Sequence, residues 1–364
     1  MIVQDVIKHI EELSPLAYAE DFDNVGLLVG NKNQPITGVL VTLDTLEEVV
    51  DEAIAKNCNL IVSFHPIIFK GLKKITGSNY VERVVLKAIK HDIAIYAMHT
   101  ALDNAWQGVN HIICQQLELQ NKSILIPQAN SIKKLTTFVP INQAEKVRKA
   151  LFKAGAGNIG NYSNCSFNVA GTGTYLGNAD SNPTVGEKGN LETEPETQIT
   201  VTFAKHTQSQ VLQALIKAHP YEEVAYQVIT LENNNQHIGM GMLGELDKPM
   251  QEVEFLKFLK LKMNTACIKH TKLLNKPIQK IAVLGGSGSF AIAAAKKAGA
   301  DVFVTSDLKY HDFFTAENRI LLADIGHYES EQFTKNSLVA HLTKKITNFA
   351  VVLSKTNTNP VQYF

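Results

Sequence analysis

The chain has 364 residues, of which 45% are hydrophobic and 19% are charged, and this composition excludes a disordered chain. Lys plus Arg and Asp plus Glu each number 35, so no net charge favours nucleic acid or an anionic membrane as a partner. The length exceeds that of one ordinary hydrophobic core, which predicts more than one domain.

The N-terminal third alternates helix and strand signals. Segment 1–13 has apolar residues at helical spacing, and amphipathic segments predict further helices at 46–57, 81–90 and 108–119. Apolar, β-branched runs predict strands at 38–44, 60–66 and 93–100. Continuous apolar strands separated by helices are typical of a mainly parallel sheet that helices cover on both faces.

The middle of the chain has a different order. Strands are predicted at 134–140, 198–204 and 223–231, with helices at 142–153 and 207–218. Two more strands are expected across a glycine-rich turn near Gly171 and Gly173, before a polar loop at 178–196. This order is close to a ferredoxin-like split βαβ arrangement, so we predict an inserted α+β domain at residues 128–245.

The C-terminal third returns to the first pattern. Strands are predicted at 280–286, 301–307 and 319–327, and helices at 290–299 and 329–346. We therefore predict an α/β fold of parallel or mixed sheets flanked by helices. One core domain would be built from residues 1–127 and 246–364, with the insert between its two parts.

The cysteines and the apolar segments indicate in which cellular compartment the protein is found. The cysteines, Cys58, Cys114, Cys165 and Cys267, have no Cys-x-x-Cys spacing and are typical of free thiols in a reducing compartment. No apolar run approaches the roughly 20 residues of a membrane-spanning helix. The first 15 residues carry acidic side chains that a signal peptide lacks. We expect a cytoplasmic protein without a membrane partner.

Histidines and carboxylates gather at predicted strand ends. His65, His99 and His327 each end a predicted strand, Asp103 lies just beyond His99, and Glu331 follows His327 by one helical turn. Alone, each histidine is more often a hydrogen-bonded cap, and an i, i+4 pair is often a solvated helix face. The carboxyl ends of parallel strands share one edge of a sheet, however. Imidazole and carboxylate are ligands of divalent transition metals, so the coincidence favours a metal site.

Two other motifs leave alternatives open. In "LGGSGSFAIAAAKKAG" (284–299), Gly286, Gly288 and Ala291 match a dinucleotide-binding fingerprint between a strand and a helix. The same residues suit a tight turn, or amides that bind a substrate phosphate beside metals. In "AHPYEEVAYQV" (218–228), we interpret His219 and the acidic pair after it as a helix end and an exposed strand start.

Six segments together resemble a known family. They are "EDFDNVGLLVG" (20–30), "SFHPIIFKGL" (63–72), "HTALDNAWQGVN" (99–110), "VLGGSGS" (283–289), "TSDLKYHD" (305–312) and "GHYESE" (326–331). They are similar to the GTP cyclohydrolase 1 type 2 homologues, also called Nif-three-like proteins. The insert resembles the PII/CutA-like domain of the longer bacterial members.

The resemblance implies a two-metal centre in an α/β core that assembles as a homohexamer. It places the metal ligands at His65, Asp103, His327 and Glu331, and His99 and His311 near the substrate or a water. One or two divalent ions per chain are implied, with zinc, iron or manganese as candidates. The family usually has two adjacent histidines where this chain has Phe64 and His65, so one of the two metals lacks a ligand.

We therefore expect a metal-dependent hydrolase of a nucleotide-like substrate that opens a ring by C–N cleavage. Two metals bridged by a carboxylate are a common hydrolytic device. Two alternatives stay open at this point. One is a non-catalytic protein that binds or delivers metal or has a regulatory role, and the other is a dinucleotide-dependent enzyme that uses the glycine-rich segment with Gly286 and Gly288.

Overall fold

The computed structural model describes residues 1–364, and the contacts within it divide the chain into two units. The first unit joins Met1–Ile126 to His237–Phe364, and the second is Pro127–Gln236.

The helices and strands follow in chain order. The helices are α1 (Val3–Leu13), α2 (Glu47–Ala55), α3 (Tyr80–Lys90), α4 (His99–Asp103), α5 (Val109–Gln116), α6 (Ala144–Lys153), α7 (Gln208–Ala218), α8 (Glu252–Lys262), α9 (Ile292–Lys297), α10 (His327–Glu331) and α11 (Thr334–Lys345). The strands are β1 (Gly26–Val29), β2 (Val39–Thr42), β3 (Leu60–Ser63), β4 (Ala94–Ala97), β5 (Gln120–Gln128), β6 (Ile132–Pro140), β7 (Phe167–Leu176), β8 (Leu191–Ala204), β9 (Tyr226–Leu231), β10 (Asn235–Gln251), β11 (Lys269–His270), β12 (Pro277–Ser287), β13 (Val302–Ser306), β14 (Leu321–Asp324) and β15 (Val351–Leu353). None of these helices combines the length and the apolar character needed to cross a bilayer.

The first sheet has five strands in the order β1-β4-β3-β2-β15. Strands β15, β2, β3 and β4 run parallel, and β1 pairs antiparallel with β4 at the edge. Every residue of β2, β3 and β4 is buried, which is why these strands are continuous apolar runs. Helices α2 and α3 pack their apolar residues on the face formed by Leu40, Ile61 and Ile95.

The second sheet has six strands in the order β11-β14-β13-β12-β10-β5. Strands β12, β13 and β14 are parallel, whereas β10 and β11 pair antiparallel with β12 and β14. Helix α9 covers one face through Ile292 and Ala295. The other face joins a large core that also includes residues of the first sheet, α1, α5, α8 and α11.

The mixed α/β class is therefore confirmed, but the core contains two mixed sheets. We expected the histidine-bearing strand ends on one edge, whereas β3 and β4 lie in the first sheet and β14 in the second. The predicted helix at 329–346 is also two helices, α10 and α11.

The second unit is a four-stranded sheet in the order β7-β8-β6-β9, with α6 and α7 packed on it. The pairs β6/β8, β6/β9 and β7/β8 are antiparallel, as in a split βαβ arrangement. Gly171 and Gly173 do not form the expected turn, because both lie inside β7. A Cβ at Gly173 would lie 2.3 Å from Oε2 of Glu196, so this strand position accommodates the glutamate side chain. The turn of the hairpin is at 177–190, and residues 191–196 of the expected loop belong to β8.

Candidate metal centre

The backbone at the ends of β3 and β4 sets two histidines side by side. The amide of His65 donates to the carbonyl of Leu43 at 2.9 Å, which extends the sheet pairing past the end of β3. The amide of His99 donates to the carbonyl of Phe64 at 2.9 Å. The rings of His65 and His99 are consequently 5.3 Å apart.

The second sheet supplies a histidine and a glutamate from one helical turn. Helix α10 starts at His327, after Gly326 with a φ of 93°. A Cβ on Gly326 would lie 2.2 Å from Oε2 of Glu329, so the turn needs a glycine. Glu331 follows His327 by four residues on the same face of the helix.

These residues converge on a single carboxylate oxygen. Oε2 of Glu331 lies 3.1 Å from Nε2 of His65 and 3.3 Å from Nε2 of His327. Glu331 is only 3% exposed, and its Oε2 is buried without a well-formed hydrogen bond. One ligand atom of each residue lies within 4.8 Å of the others, so one ion can contact all three.

An aspartate lies beside one ring nitrogen, Nδ1, of each histidine at the site: His65, His99 and His327. Nδ1 of His65 is 2.8 Å from Asp44, Nδ1 of His99 is 2.8 Å from Asp23, and Nδ1 of His327 is 2.6 Å from Asp307. This contact orients each ring and directs Nε2 away from the aspartate. Histidines that ligate metals usually have such a carboxylate behind them.

Further hydrogen bonds hold the aspartates themselves. Thr358 donates its hydroxyl to Asp44 at 2.6 Å, and the Thr100 hydroxyl donates to Asp23 at 2.6 Å. Ser287 donates to Asp307. The pKa of Asp23 falls to about 2, because the contacts to His99 and Thr100 outweigh its burial.

The electrostatics around Glu331 favour positive charge. Burial alone would raise the pKa of Glu331, but His65 and His327 outweigh it and lower the pKa to about 2. Burial would lower the pKa of both histidines, yet Glu331 and the two aspartates raise it to about 10 for His65 and about 11 for His327. The carboxylates thus stabilise positive charge between the two rings.

Asp103 provides a further carboxylate that could ligate a metal beside this cluster. It lines a cavity of about 290 Å³ together with His99, His327 and Glu331. Its Oδ1 is buried without a hydrogen-bond partner. Burial, and then the charge of Glu331, raise the pKa of Asp103 well above its usual range. A buried, unpaired carboxylate oxygen next to two imidazoles fits a metal ligand.

A second cavity, of about 510 Å³, lies on another side of the cluster. It is lined by Asp44, His65, Asp307 and His327 together with the chain segment 359–363. Asn359 donates to Glu329 at 3.1 Å, which fixes this segment beside α10. The candidate metal centre is therefore reached by two separate cavities.

One expected residue lies outside the cluster, and one residue of the site was not expected. His311 is exposed, its ring contacts Tyr310 and Phe314, and it lines neither cavity. Asp23 was not among the candidate residues, because it precedes β1 in a loop without a periodic pattern.

The glycine-rich segment serves the same site. The amide of Gly286 donates to the Ser330 hydroxyl at 2.9 Å, and the amide of Gly285 donates to Asn110 at 3.0 Å. These amides are therefore not free to bind a dinucleotide phosphate. A Cβ on Gly286 would lie 2.6 Å from Oε1 of Glu331, so this glycine makes room for the carboxylate.

The chain is similar to known proteins over nearly its whole length. A family described as Duf34/NIF3 (NGG1p interacting factor 3) matches residues 1–360. A Bacillus subtilis protein named GTP cyclohydrolase 1 type 2 homolog is 40% identical over 369 residues, covering 99% of this chain and 98% of that protein. A Listeria innocua protein of the same name is 36% identical, with 97% and 96% coverage.

Solved structures are similar as well. The crystal structure of a Bacillus cereus protein related to NIF3 has a TM-score of 0.88 at 38% identity, covering 100% of this chain and 99% of that one. Staphylococcus aureus protein SA1388 has a TM-score of 0.80 at 32% identity, with the same coverage. The resemblance inferred from the six sequence segments is thereby confirmed, and the chain belongs to the DUF34/NIF3 family.

Proposed function

We propose that this protein binds one or two divalent transition-metal ions per chain and hydrolyses a nucleotide-like substrate with them. The convergence of His65 and His327 on one oxygen of Glu331, at 3.1 and 3.3 Å, carries the proposal. Zinc, iron and manganese all accept this combination of imidazole and carboxylate ligands.

The residues have distinct roles in this proposal. His65 and His327 would supply nitrogen ligands, Glu331 would supply the shared carboxylate, and Asp103 would supply a further oxygen. His99 lines the same cavity as Asp103 and is the candidate for proton transfer. The exposed position of His311 gives it no part here.

A bound divalent ion supplies Lewis acidity and lowers the pKa of a coordinated water. The chain itself must hold the substrate in the two cavities and move protons during C–N cleavage. His99 can transfer a proton through Nε2, because Asp23 lies 2.8 Å from Nδ1 and keeps the ring oriented. The relatives named GTP cyclohydrolase 1 type 2 homolog suggest a guanine-like ring as the first substrate class to test.

A non-catalytic role in metal binding, delivery or regulation is the second candidate. The cavity beside segment 359–363 is lined by four carboxylates, those of Asp44, Asp307, Asp324 and Glu329, but by a single lysine, Lys269. Lys269 already pairs with Asp324 at 2.7 Å. Asp44 and Asp307 likewise pair with His65 and His327, which line the same cavity. Glu329 is the remaining carboxylate, and its charge attracts cations, which supports metal binding as a function in itself.

The deciding experiment combines metal analysis with a turnover screen. Purified chain is loaded with zinc, manganese or iron(II) and incubated with nucleotides, nucleosides and phosphoesters. Metal-dependent turnover that is lost in Glu331→Gln supports the hydrolase. Stoichiometric metal without turnover supports the second candidate, and protein that retains no metal contradicts both.

We also propose that the protein is a cytoplasmic homohexamer and that its second unit is a PII/CutA-like domain. The family resemblance supports the assembly, and the strand order β7-β8-β6-β9 supports the domain. Light scattering of the purified chain should give about six subunits. A stable monomer at micromolar concentration would contradict the assembly.

A further inference from the structure

The second unit contains a cavity that shares no residue with the metal centre. Its volume is about 650 Å³, and its walls include Phe138, Val169, Tyr175 and Leu176. Pockets for small molecules typically have volumes of roughly 300–1,000 Å³ and mostly apolar walls. The size and the lining therefore suit a small organic ligand.

Hydrogen bonds across its rim connect the two sides of this cavity. The amide of Asn182, in the loop between β7 and β8, donates to Oε1 of Glu222 at 2.6 Å. The hydroxyl of Thr184 donates to the carbonyl of Pro220 at 2.9 Å. The hairpin loop is thus fixed to the segment before β9, and both contribute to the lining.

One carboxylate in the lining of the cavity, that of Glu196, is buried, since this residue is only 8% exposed. Its Oε1 accepts a hydrogen bond from the hydroxyl of Tyr221 at 2.8 Å, and its Oε2 accepts none. The carboxylate lies across Gly173, where any Cβ would collide with it. One oxygen of a buried carboxylate is therefore available to a ligand.

No protein cation compensates this charge. The lining includes Glu196, Glu222 and Glu223 but no lysine, arginine or histidine. The nearby His219 accepts from the amide of Tyr221 at 3.1 Å and donates to a backbone carbonyl at 2.9 Å, so it is neutral. Buried carboxylates in proteins are normally paired with a cation or fully hydrogen-bonded, and Glu196 is neither.

We propose that this cavity binds a small primary amine with an apolar body, whose ammonium group pairs with Oε2 of Glu196. The rings of Tyr175 and Tyr221, with centroids 6.1 Å apart, offer aromatic surface to the same cation. Glu222 and Glu223 are exposed at the rim, where they attract positive charge.

A metal ion fits this site less well than an amine. Three ligand atoms that approach one another within 4.8 Å occur at His65, His327 and Glu331, and at no group in the second unit. The carboxylates of the cavity therefore do not converge as metal ligands do. The apolar walls would leave most of the coordination sphere of an ion without donors.

The experiment titrates the full chain with phenethylamine and with phenethyl alcohol, its neutral analogue of similar shape, by calorimetry. We expect the amine to bind at least about tenfold more tightly than the alcohol, because one charge-assisted hydrogen bond contributes at least that much. Glu196→Gln should abolish this preference. Gly173→Ala should weaken amine binding while the charge is kept, because the new Cβ displaces the carboxylate.

Glu232→Gln is the matched control, since Glu232 is an exposed carboxylate of the same unit outside the lining. It should bind the amine as the wild type does. Benzylamine and hexylamine extend the test to other apolar bodies. The proposal is overturned if no amine binds, if amine and alcohol bind equally, if Mn²⁺ competes for the site, or if Glu232→Gln weakens binding as much as Glu196→Gln.

Discussion

His65 and His327 belong to different sheets of the core, yet their rings are 5.4 Å apart and both Nε2 atoms face Glu331. His65 follows a strand of the first sheet and His327 a strand of the second. A metal ion at this point would connect the two sheets. Its binding should therefore affect stability as well as activity.

The first prediction concerns the ligands themselves. Glu331→Gln keeps the shape of the side chain and removes its charge, and His327→Ala removes one nitrogen ligand. Each should lower metal affinity by about 10–100-fold or more, and Glu331→Gln should have the larger effect if the carboxylate is shared by two ions. Metal quantitation after gel filtration measures this. Wild-type metal content in both variants would exclude the site.

The second prediction concerns the aspartates behind the histidines. Asp44→Asn and Asp307→Asn keep a hydrogen-bond acceptor but remove the charge behind His65 and His327, so each should weaken metal binding by about 10-fold. Asp51→Asn changes an exposed carboxylate that pairs with Lys87, and serves as the control. Competition with a chelating dye gives the affinities, and equal values for all three variants would contradict an orienting role.

The third prediction concerns Phe64, which is fully buried with its ring 4.8 Å from that of His65 and 5.7 Å from that of His99. If the missing histidine weakens one site, wild-type protein should lose one ion first to a mild chelator. Phe64→His should then raise the stoichiometry toward two per chain, and Phe64→Leu should not. Two equally tight ions in the wild type would indicate that His99 already takes this place.

The fourth prediction concerns the second unit. Replacing residues 128–236 by a short linker should leave a folded core that binds metal, because β5 and β10 are neighbours in the second sheet. A Cβ on Gly241 would touch Leu125 at 3.2 Å, so the linker has only a short distance to span. The insert predicted from the sequence extended to residue 245, but residues 242–245 pair with β12 in the core, so the deletion keeps them. Thermal melting and metal content are the readouts, and an unfolded core would contradict independent folding.

The fifth prediction concerns pH and Glu52. Its carboxylate accepts hydrogen bonds from the Ser354 hydroxyl at 2.6 Å and the Lys355 amide at 2.9 Å. Although burial opposes it, these bonds and others lower the pKa of Glu52 from 4.5 to about 2. The stabilisation should therefore be complete above about pH 4.5 and disappear as the pH falls toward 2.

The measurement compares urea unfolding of the wild type and Glu52→Gln across this pH range. Near neutral pH the variant should be less stable by about 1.5–3 kcal/mol, since charge-assisted hydrogen bonds are lost. The difference should shrink as the pH falls below 4.5. Glu12→Gln, which removes an exposed ion pair with Lys345, should leave stability nearly unchanged at every pH. A difference that is independent of pH would contradict the assignment.

Much of the core could be predicted because its central strands are buried on both faces. Such strands are continuous apolar runs, so their ends, and with them His65, His99 and His327, are visible in the sequence. The exchange of strands between the two halves of the chain was not visible. The first sheet is completed by β15, a strand of three residues from the second half, and the second sheet by β5 from the first half. Short edge strands carry little periodic signal.

The aspartates that orient the three histidines were likewise only partly predictable from the sequence. Asp44 and Asp307 each end a predicted strand, so the sequence already places them at strand ends together with the histidines. Asp23 lies 76 residues before His99, in a loop, and only tertiary structure brings the two together. The cavity of the second unit was equally hidden, because Gly173 lies opposite Glu194 in the β7–β8 ladder, whereas the side chain that lies across it belongs to Glu196.

The exchange of strands between the two halves of the core has a consequence during synthesis on the ribosome. Strand β15 completes the first sheet beside β2, and its register pairs Val351 with Val39. The nascent chain therefore leaves one edge of β2 unpaired until residues beyond 350 have left the exit tunnel. His65 likewise lacks its contact to Glu331 until residue 331 has emerged. The second unit has no such dependence, since all its strands lie within residues 132–231. It can fold while the core is still being translated.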